Sequence, residues 1–596
     1  MPADVRPATP ERHLATAGVV AAVTMLAYWR VAVIGFVADD YFILSRVQAG
    51  DGVANPGGYF GFGFFDYYRP LGFISHAIDW TLWGLNPAAF HLTNLVLHAV
   101  SSVLVFVIAR RLMDGLAAGV AMLLFAFHAA NHEAVYWVAA RFDLLATCFA
   151  LLALVWLWAD RPIARAAGIV CYALALLSKE SALSLLVIAA ALDVFVRRRA
   201  WPDVVRRLVP LLMVTVAYVA LRAAATDIVI AGGERRLPKL VLLGVALGAL
   251  VWMARSATQA NGWDRVTRRL RPPVLVMGAT IGGVLVAGAL GLSLPASAAW
   301  TREKLGFVAY AAYYLVSPVV TLGPPTTWFE PARITDAVAG LVVLTLAVST
   351  FVVLIARTKH LDRLGFLVFA IIGALLPVLS MTGGTRYLYL ASAVVSWAGA
   401  WAFQWTLTTR ARALALLVLP LMVMVSIQQI GAKGRDWHWA SELTRRGLDV
   451  MARDLEPCGT KHVVLLTAPA GIRGVYSNIP WEAFNVERGC APASLRTLLR
   501  VVGADAVVAV RVTQNGTIEI GVPDYVGQIV ASADLSRFDR PIAPGTTARL
   551  DTPLGTLETM PIGTTQLFRL TRTDAEPLQF FYYGYGEIRA VRRPGL

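Results

Sequence analysis

Apolar residues along this chain gather in runs close to the ~20 residues that take a helix across a hydrocarbon core, with short basic stretches between them. The runs at 14–38, 91–109, 113–130, 142–159, 163–178, 181–196, 208–225, 238–254, 273–292, 338–356, 364–381, 387–408 and 413–430 predict an α-helical polytopic membrane protein of about 13 spans. Basic residues recur between the runs, at Arg110 and Arg111, Arg161 and Arg165, Arg197 to Arg207, Arg255 to Arg271, Arg357 to Arg363, and Arg410 with Arg412. Taking those loops as cytoplasmic orients every span. Arg6 and Arg12 precede an apolar run too long for a signal-peptide core, which predicts an uncleaved anchor with its start inside. An odd number of crossings then leaves the C-terminal part outside. The apolar stretch 305–323 would invert the later loops if it crossed, so it is expected to be re-entrant or interfacial.

Two regions break the pattern. Residues 39–90 form a long outer loop rich in Gly and aromatics (FGFGFFDYY), expected to lie at the interface with short helices. Residues 431–596 turn to period-two alternation, in "HVVLLT", "VVAVRVTQNGTIEIGV" and "LQFFYYGYGEIRAV". The expected organisation is a membrane domain at 1–430 followed by a small soluble α/β or β-rich domain at 431–596. Asn515-Gly516 reads as a type I′ hairpin turn.

Composition adds constraints. With 57% hydrophobic and 15% charged residues and a mean hydropathy of +0.62, the solvent of this chain is a lipid bilayer. The net charge of +15 would suit nucleic acid, but its arginines sit in short loops where they orient spans, so no nucleic-acid partner is expected. Cys148 and Cys171 lie in apolar runs, whereas Cys458 and Cys490 fall in the polar tail, where a disulfide would suit an oxidising compartment.

Drawn on this topology, the polar residues of the membrane part favour the outer side. Asp39 and Asp40 end the first run; Arg69 follows in the outer loop; His91, Asn94 and His98 open the second. His128, His132 and Glu133 lie between the third and fourth, Arg141 and Asp143 start the fourth, Lys179 and Glu180 occupy the turn after the fifth, Arg222 nears an outer end, and Arg386 and Tyr387 open the twelfth. Ionisable groups at membrane depth usually face a protein interior or a wet cavity, and one outer cavity accounts for them together. Each also has a structural reading: His91, Asn94 and His98 as helix-to-helix hydrogen bonds, Lys179 and Glu180 as a local ion pair, Arg141 and Asp143 as paired charges. Asp39 or Asp40 could serve as a base that accepts a proton. Arg69, Lys179, Arg222 and Arg386 could hold a departing phosphate, since guanidinium forks match phosphate oxygens. In HAANHE the two histidines stand four apart, but Ala129 occupies the place of the Glu that follows the first His of a zinc-protease helix, so metal ligation is left unassigned, with Mg or Mn as candidates for an adjacent Asp pair.

At these residues the chain resembles a known family. The strings "VADDYFIL", "YYRPLGFISHAIDWTLWGLNPAAFHLTNLVLHAV", "HAANHEAVYWVAARFDLLA", "LLSKESALSLLVIAAALDVF" and "TRYLYLAS" are similar to those of the transmembrane and TPR repeat-containing protein O-mannosyltransferases, within the GT-C superfamily. The resemblance implies a GT-C fold, a polyprenyl- or dolichyl-phosphate sugar donor, and a catalytic acidic pair at Asp39 and Asp40. Its RPL segment maps to Arg69, its HxxxxE segment to His128 and Glu133, its SKE segment to Lys179 and Glu180, and its RYLY segment to Arg386 and Tyr387. Two departures stand out: a strand-rich tail where the family has a TPR superhelix, and Thr385 where it commonly has Glu.

The expectation is therefore a bacterial inner-membrane glycosyltransferase with its site and tail in the periplasm, transferring a monosaccharide by inversion. The acceptor stays open between a protein hydroxyl and a glycan or lipid-linked saccharide. A flippase of lipid-linked sugar and a non-catalytic scaffold are the rivals.

Overall fold

The structure, a computed structural model, describes residues 10–225 apart from 62–66 and 160, Leu315, 361–375, 384–453, and most of 455–591 between short loops. The expected spans 238–254, 273–292 and 338–356 and the stretch 305–323, Leu315 excepted, lie outside the described residues. Within them, helices Pro87–Ala109 (α4), Val138–Trp158, Trp201–Arg222 and the start of Arg412–Ala452 are long and apolar enough to cross a membrane. The chain is a multi-pass membrane protein.

The helical half follows the apolar runs where end signals agree with them. In α4, Pro87 takes the first position and the Asn86 side chain accepts from the Ala88 N–H, so the helix starts four residues before its apolar run. Asp114 caps helix Gly115–Ala126 (α5) through the Ala117 N–H at 2.9 Å. After α5 the chain bends by 45° into the short helix His132–Tyr136 (α6), then enters Arg141–Trp158 (α7), the most enclosed of the long helices. Helix Pro162–Ser178 (α8) packs back along α7.

Three expected spans differ. The run 14–38 is helical only as Pro10–Ala27 (α1) and a turn at Trp29–Ala32, because Tyr28 buries at the break. The run 181–196 is a chain of short pieces, a 3-10 turn at Glu180–Leu183, an α-helix at Ser184–Ala191 (α9) and a π-turn at Leu192–Val196. The run 413–430 continues without a break as Arg412–Ala452, crossing the expected domain boundary. Apolar periodicity stops near 430 but helix propensity does not, and Glu442 pairs with Arg445 and Arg446 along the extension.

Among the described residues of 39–90, ahead of α4, lie the short helices Asp39–Ala49 (α2) and Pro70–Trp83 (α3), with a 3-10 turn at Pro56–Gly61 between them. Gly72 lets α3 reach α7: a Cβ there would stand 2.0 Å from the Phe142 ring. The remaining described helices are Trp201–Ala225 (α10), Leu361–Leu375 (α11), Tyr389–Leu407 (α12), Arg412–Ala452 (α13) and, in the tail, Trp481–Arg488 (α14).

The tail is α/β, in three layers. A mixed seven-stranded sheet runs Glu587–Ala590 (β12), Leu578–Gly584 (β11), His462–Ile472 (β1), Ser494–Val502 (β3), Ile529–Ala531 (β6), Arg540–Ile542 (β7), with Val475–Tyr476 (β2) off β1. Strands β11 and β3 both lie parallel to β1. Because strand side chains alternate, Val463 and Leu465 join the core shared with α13 and α14, while Val464 and Leu466 face the second sheet. That sheet runs Ala509–Val512 (β4), Ile518–Pro523 (β5), Thr565–Arg572 (β10), Gly555–Ile562 (β9), Ala548–Thr552 (β8), all antiparallel. Its outer face carries a ladder of alternating charge across every strand, Arg511–Glu519–Arg569–Glu558–Arg549. The β4–β5 hairpin exists, but Val512 pairs with Ile518, so its loop is longer than the two residues expected, and Gly516 closes it at φ +76. Thr513 accepts from the Gly516 N–H, the signature of a three-residue loop.

Candidate functional site

Three ion pairs from distant parts of the chain meet beside α7. Arg69, just ahead of α3, binds Glu180 side-on through Nε at 3.0 Å and Nη2 at 2.6 Å. Lys179 Nζ donates to both oxygens of Asp143, at 2.7 and 2.6 Å. Arg386 pairs with Glu133 through its guanidinium and through its own backbone N–H at 2.9 Å. All six side chains are between 2% and 13% exposed, so the charges sit where water screens them little.

Aromatic faces join the pairs. The Lys179 ammonium lies 4.5 Å from the Tyr387 ring centroid and the Arg386 guanidinium 4.4 Å from it, so one aromatic ring contacts both cations. Arg386 also covers Trp137 at 4.6 Å, and Arg69 covers Tyr67 at 4.1 Å. Burial pulls the Lys179 ammonium down to about 8, against Asp143 and with Arg69 and Arg386 beside it. Burial pushes Glu180 up, but Arg69 more than reverses this and holds it at about 2. Arg222, in the last turn of α10, borders the group: it neighbours Tyr218, which also stands near Arg69 and Glu180.

The two aspartates are not equivalent. Asp40 is fully buried, its Oδ2 accepting from Val37 N–H at 2.9 Å and its Oδ1 from Ala139 N–H at 2.7 Å. Burial pushes its carboxyl up to about 8, while those two N–H groups pull it down. Asp39 is exposed at the first turn of α2. Ala38 before it holds φ 48, a strained conformation for a non-glycine residue, so the turn that presents Asp39 is fixed by its surroundings. Asp40 ties α2 to Ala139, two residues from the Trp137 ring under Arg386. The carboxylate helix and the cation group thus share one segment, Trp137 to Asp143.

His91, Asn94 and Arg141 belong to a separate network. Arg141 is fully enclosed, paired to Asp79 at 2.5 Å and donating to Asn94 Oδ1 at 2.8 Å and the Phe90 carbonyl at 2.6 Å. Asn94 donates in turn to the Trp137 carbonyl at 2.8 Å, and His91 is buried near Gly35. His98 Nε2 donates to the Ala126 carbonyl, so its Nδ1 accepts from the Tyr389 hydroxyl at 2.7 Å. His128 likewise donates from Nε2 to the Leu315 carbonyl at 3.1 Å. His132 is buried beside Glu133, near Lys433, and its Nδ1 has no hydrogen-bond partner among the described residues.

Sequence reading missed Asp79 and Trp137. An acidic residue within the apolar run "FISHAIDWTLW" was the available signal for the first; nothing local distinguishes the second. Thr385 is no gap: its hydroxyl donates to Glu133 Oε2 at 3.1 Å, where a glutamate would set two carboxylates together. Among the described residues no group of three or more His, Cys, Asp or Glu is arranged to hold a metal ion. Asp40 is fully buried with each oxygen bonded to a backbone N–H, which leaves Asp39 as the exposed carboxylate of the adjacent pair. Cys148 in α7 and Cys171 in α8 are free; in the tail, Cys490 is disulfide-bonded and Cys458 lies outside the described residues.

No family model matches the chain. Curated proteins do match it. They are protein O-mannosyl-transferases. The human protein O-mannosyl-transferase TMTC3 is 32% identical over 142 residues, which are 22% of this chain and 15% of that protein. Tmtc1 of Drosophila melanogaster is 35% identical over 136 residues, 21% of this chain and 15% of that one. The matched stretch thus covers a small part of each relative, and over it the resemblance to the TPR repeat-containing O-mannosyltransferases is borne out. Among solved structures, the Archaeoglobus fulgidus oligosaccharyltransferase tethered with an acceptor peptide is similar with a TM-score of 0.45 and 14% identity, covering 82% of this chain and 64% of that one. ArnT from Cupriavidus metallidurans bound to undecaprenyl phosphate is similar with a TM-score of 0.29 and 15% identity, covering 82% and 86%.

Proposed function

We propose that this chain is a GT-C type membrane glycosyltransferase that moves a monosaccharide from a polyprenyl-phosphate donor to an acceptor hydroxyl. The observation behind the reading is the convergence of Lys179 and Arg386 on Tyr387, with Arg69 beside Lys179, next to the segment that anchors α2. In the reaction the acceptor oxygen attacks the anomeric carbon and the bond from that carbon to the phosphate oxygen breaks. The acceptor proton passes to Asp39, and the configuration inverts. The donor phosphodiester bears one negative charge and the released monoester gains a second, so cations beside it stabilise the transition state more than the ground state. Arg69 is suited to that task, because its side-on pairing with Glu180 engages Nε and Nη2 and leaves Nη1 for an incoming oxygen. Asp40 holds α2; Asp39 does the chemistry.

The basic loops support an inner-membrane protein with site and tail on the periplasmic side. The names of the curated relatives support mannose and a protein hydroxyl as donor sugar and acceptor. The test uses the chain in nanodiscs with radiolabelled polyprenyl-phosphate mannose and two acceptor pools, Ser/Thr peptides and envelope glycans. Label on peptide is expected; label only on glycan would replace the acceptor, and translocated donor without product would sink the enzyme reading in favour of a flippase. Asp39→Asn should lower turnover by roughly 10²- to 10⁴-fold, the usual worth of a general base, with donor binding intact.

A further inference from the structure

The soluble tail reaches into the membrane half at one helix. Helix α14 packs along α2, the helix that begins with Asp39. Phe36, Tyr41 and Leu44 share one continuous core with Phe484 and Val486 of α14 and Leu448 of α13. Tyr41 is 2% exposed, and its hydroxyl donates to Glu487 Oε1 at 3.1 Å. Arg488, next along α14, pairs with Asp449 of α13, which also faces Arg445. The back of α2 is thus built into the core of the tail, while its first turn bonds to Ala139 of the membrane half.

We propose that the C-terminal domain completes the reactive site by setting the attitude of α2, with Glu487 and Tyr41 as positioning residues for Asp39. This rests on the glycosyltransferase reading above. The cations come from the membrane half, so a loosened clamp should leave donor capture intact and misplace the base. Glu487→Leu removes the acceptor oxygen while keeping bulk; Glu487→Gln keeps an acceptor; Tyr41→Phe removes the donor. In the full chain in nanodiscs, Glu487→Leu and Tyr41→Phe should lower kcat by roughly 10- to 100-fold at unchanged donor KM, the scale expected for a small misplacement, and Glu487→Gln should restore most of it. Hydrogen exchange of the α2 amides gives a second readout independent of any reaction: it should quicken in the Leu and Phe variants and stay slow in Gln. Unchanged exchange and kcat in Glu487→Leu would overturn the clamp, as would a Gln variant no better than Leu. If Leu fails to fold, Tyr41→Phe against wild type decides by the same two measures. A wild-type chain without sugar transfer would defeat the functional reading while the exchange data still judged the clamp.

Discussion

Opposite charges alternate in two places in this molecule, and they mean different things. On the outer face of the five-stranded sheet, Arg511, Glu519, Arg569, Glu558 and Arg549 follow one another across neighbouring strands, with Arg569–Glu519 at 3.0 Å and Arg549–Glu558 at 3.5 Å. These side chains reach solvent, and register alone brings them together. Beside α7, Arg69–Glu180, Lys179–Asp143 and Arg386–Glu133 are nearly sealed from water, and their partners are remote in sequence except through the fold. Burying ions is unfavourable unless geometry compensates, so gathering six of them at one point adds little net stability even though breaking any one pair is costly. The ladder holds an exposed sheet in register; under the proposed function the buried pairs lend their cations to a phosphate.

The comparison can be broken most severely at Glu180. Glu180→Ala should strip Arg69 of its partner inside the protein and lower stability by about 3–5 kcal/mol, read as a fall in the thermal transition. Replacing both members, Arg69→Met with Glu180→Leu, should restore most of that stability and still abolish capture of a polyprenyl-phosphate analogue; retained capture would show that the pair is only a strut. A milder probe is pH. Lys179 loses its proton as pH rises through about 8, so donor KM should climb above that value and be level below it. Lys179→Arg should remove the climb, which separates Lys179 from Asp40, pushed into the same range. The smallest effect belongs to the ladder: Glu558→Ala should shift stability by under about 1 kcal/mol and weaken further in significance at high salt. A loss as large as that of Glu180→Ala would erase the distinction drawn here.

The apolar runs made α7 and α8 legible to within a residue at their starts, whereas the Asn86 cap begins α4 four residues ahead of its run and the Asp114 cap begins α5 two residues inside its own. The cations and carboxylates were legible as types but not as couples. Nothing near Arg141 in sequence announces Asp79, and only tertiary packing brings α3 against α7 to pair them. The difference between Asp39 and Asp40 was equally hidden, since it depends on Ala139 arriving from another segment. Beyond residue 430 the chain turns polar, and a reading based on hydropathy ends a helix that Glu442 and its arginines continue to support.

That uninterrupted helix has a mechanical consequence. At 41 residues and 1.5 Å of rise each, α13 is a rod of roughly 60 Å, about twice the thickness of a hydrocarbon core. One portion is gripped by lipid and the other by the tail. Like an oar through a rowlock, it turns each degree of lean at the bilayer into roughly half an ångström of sweep at its far end.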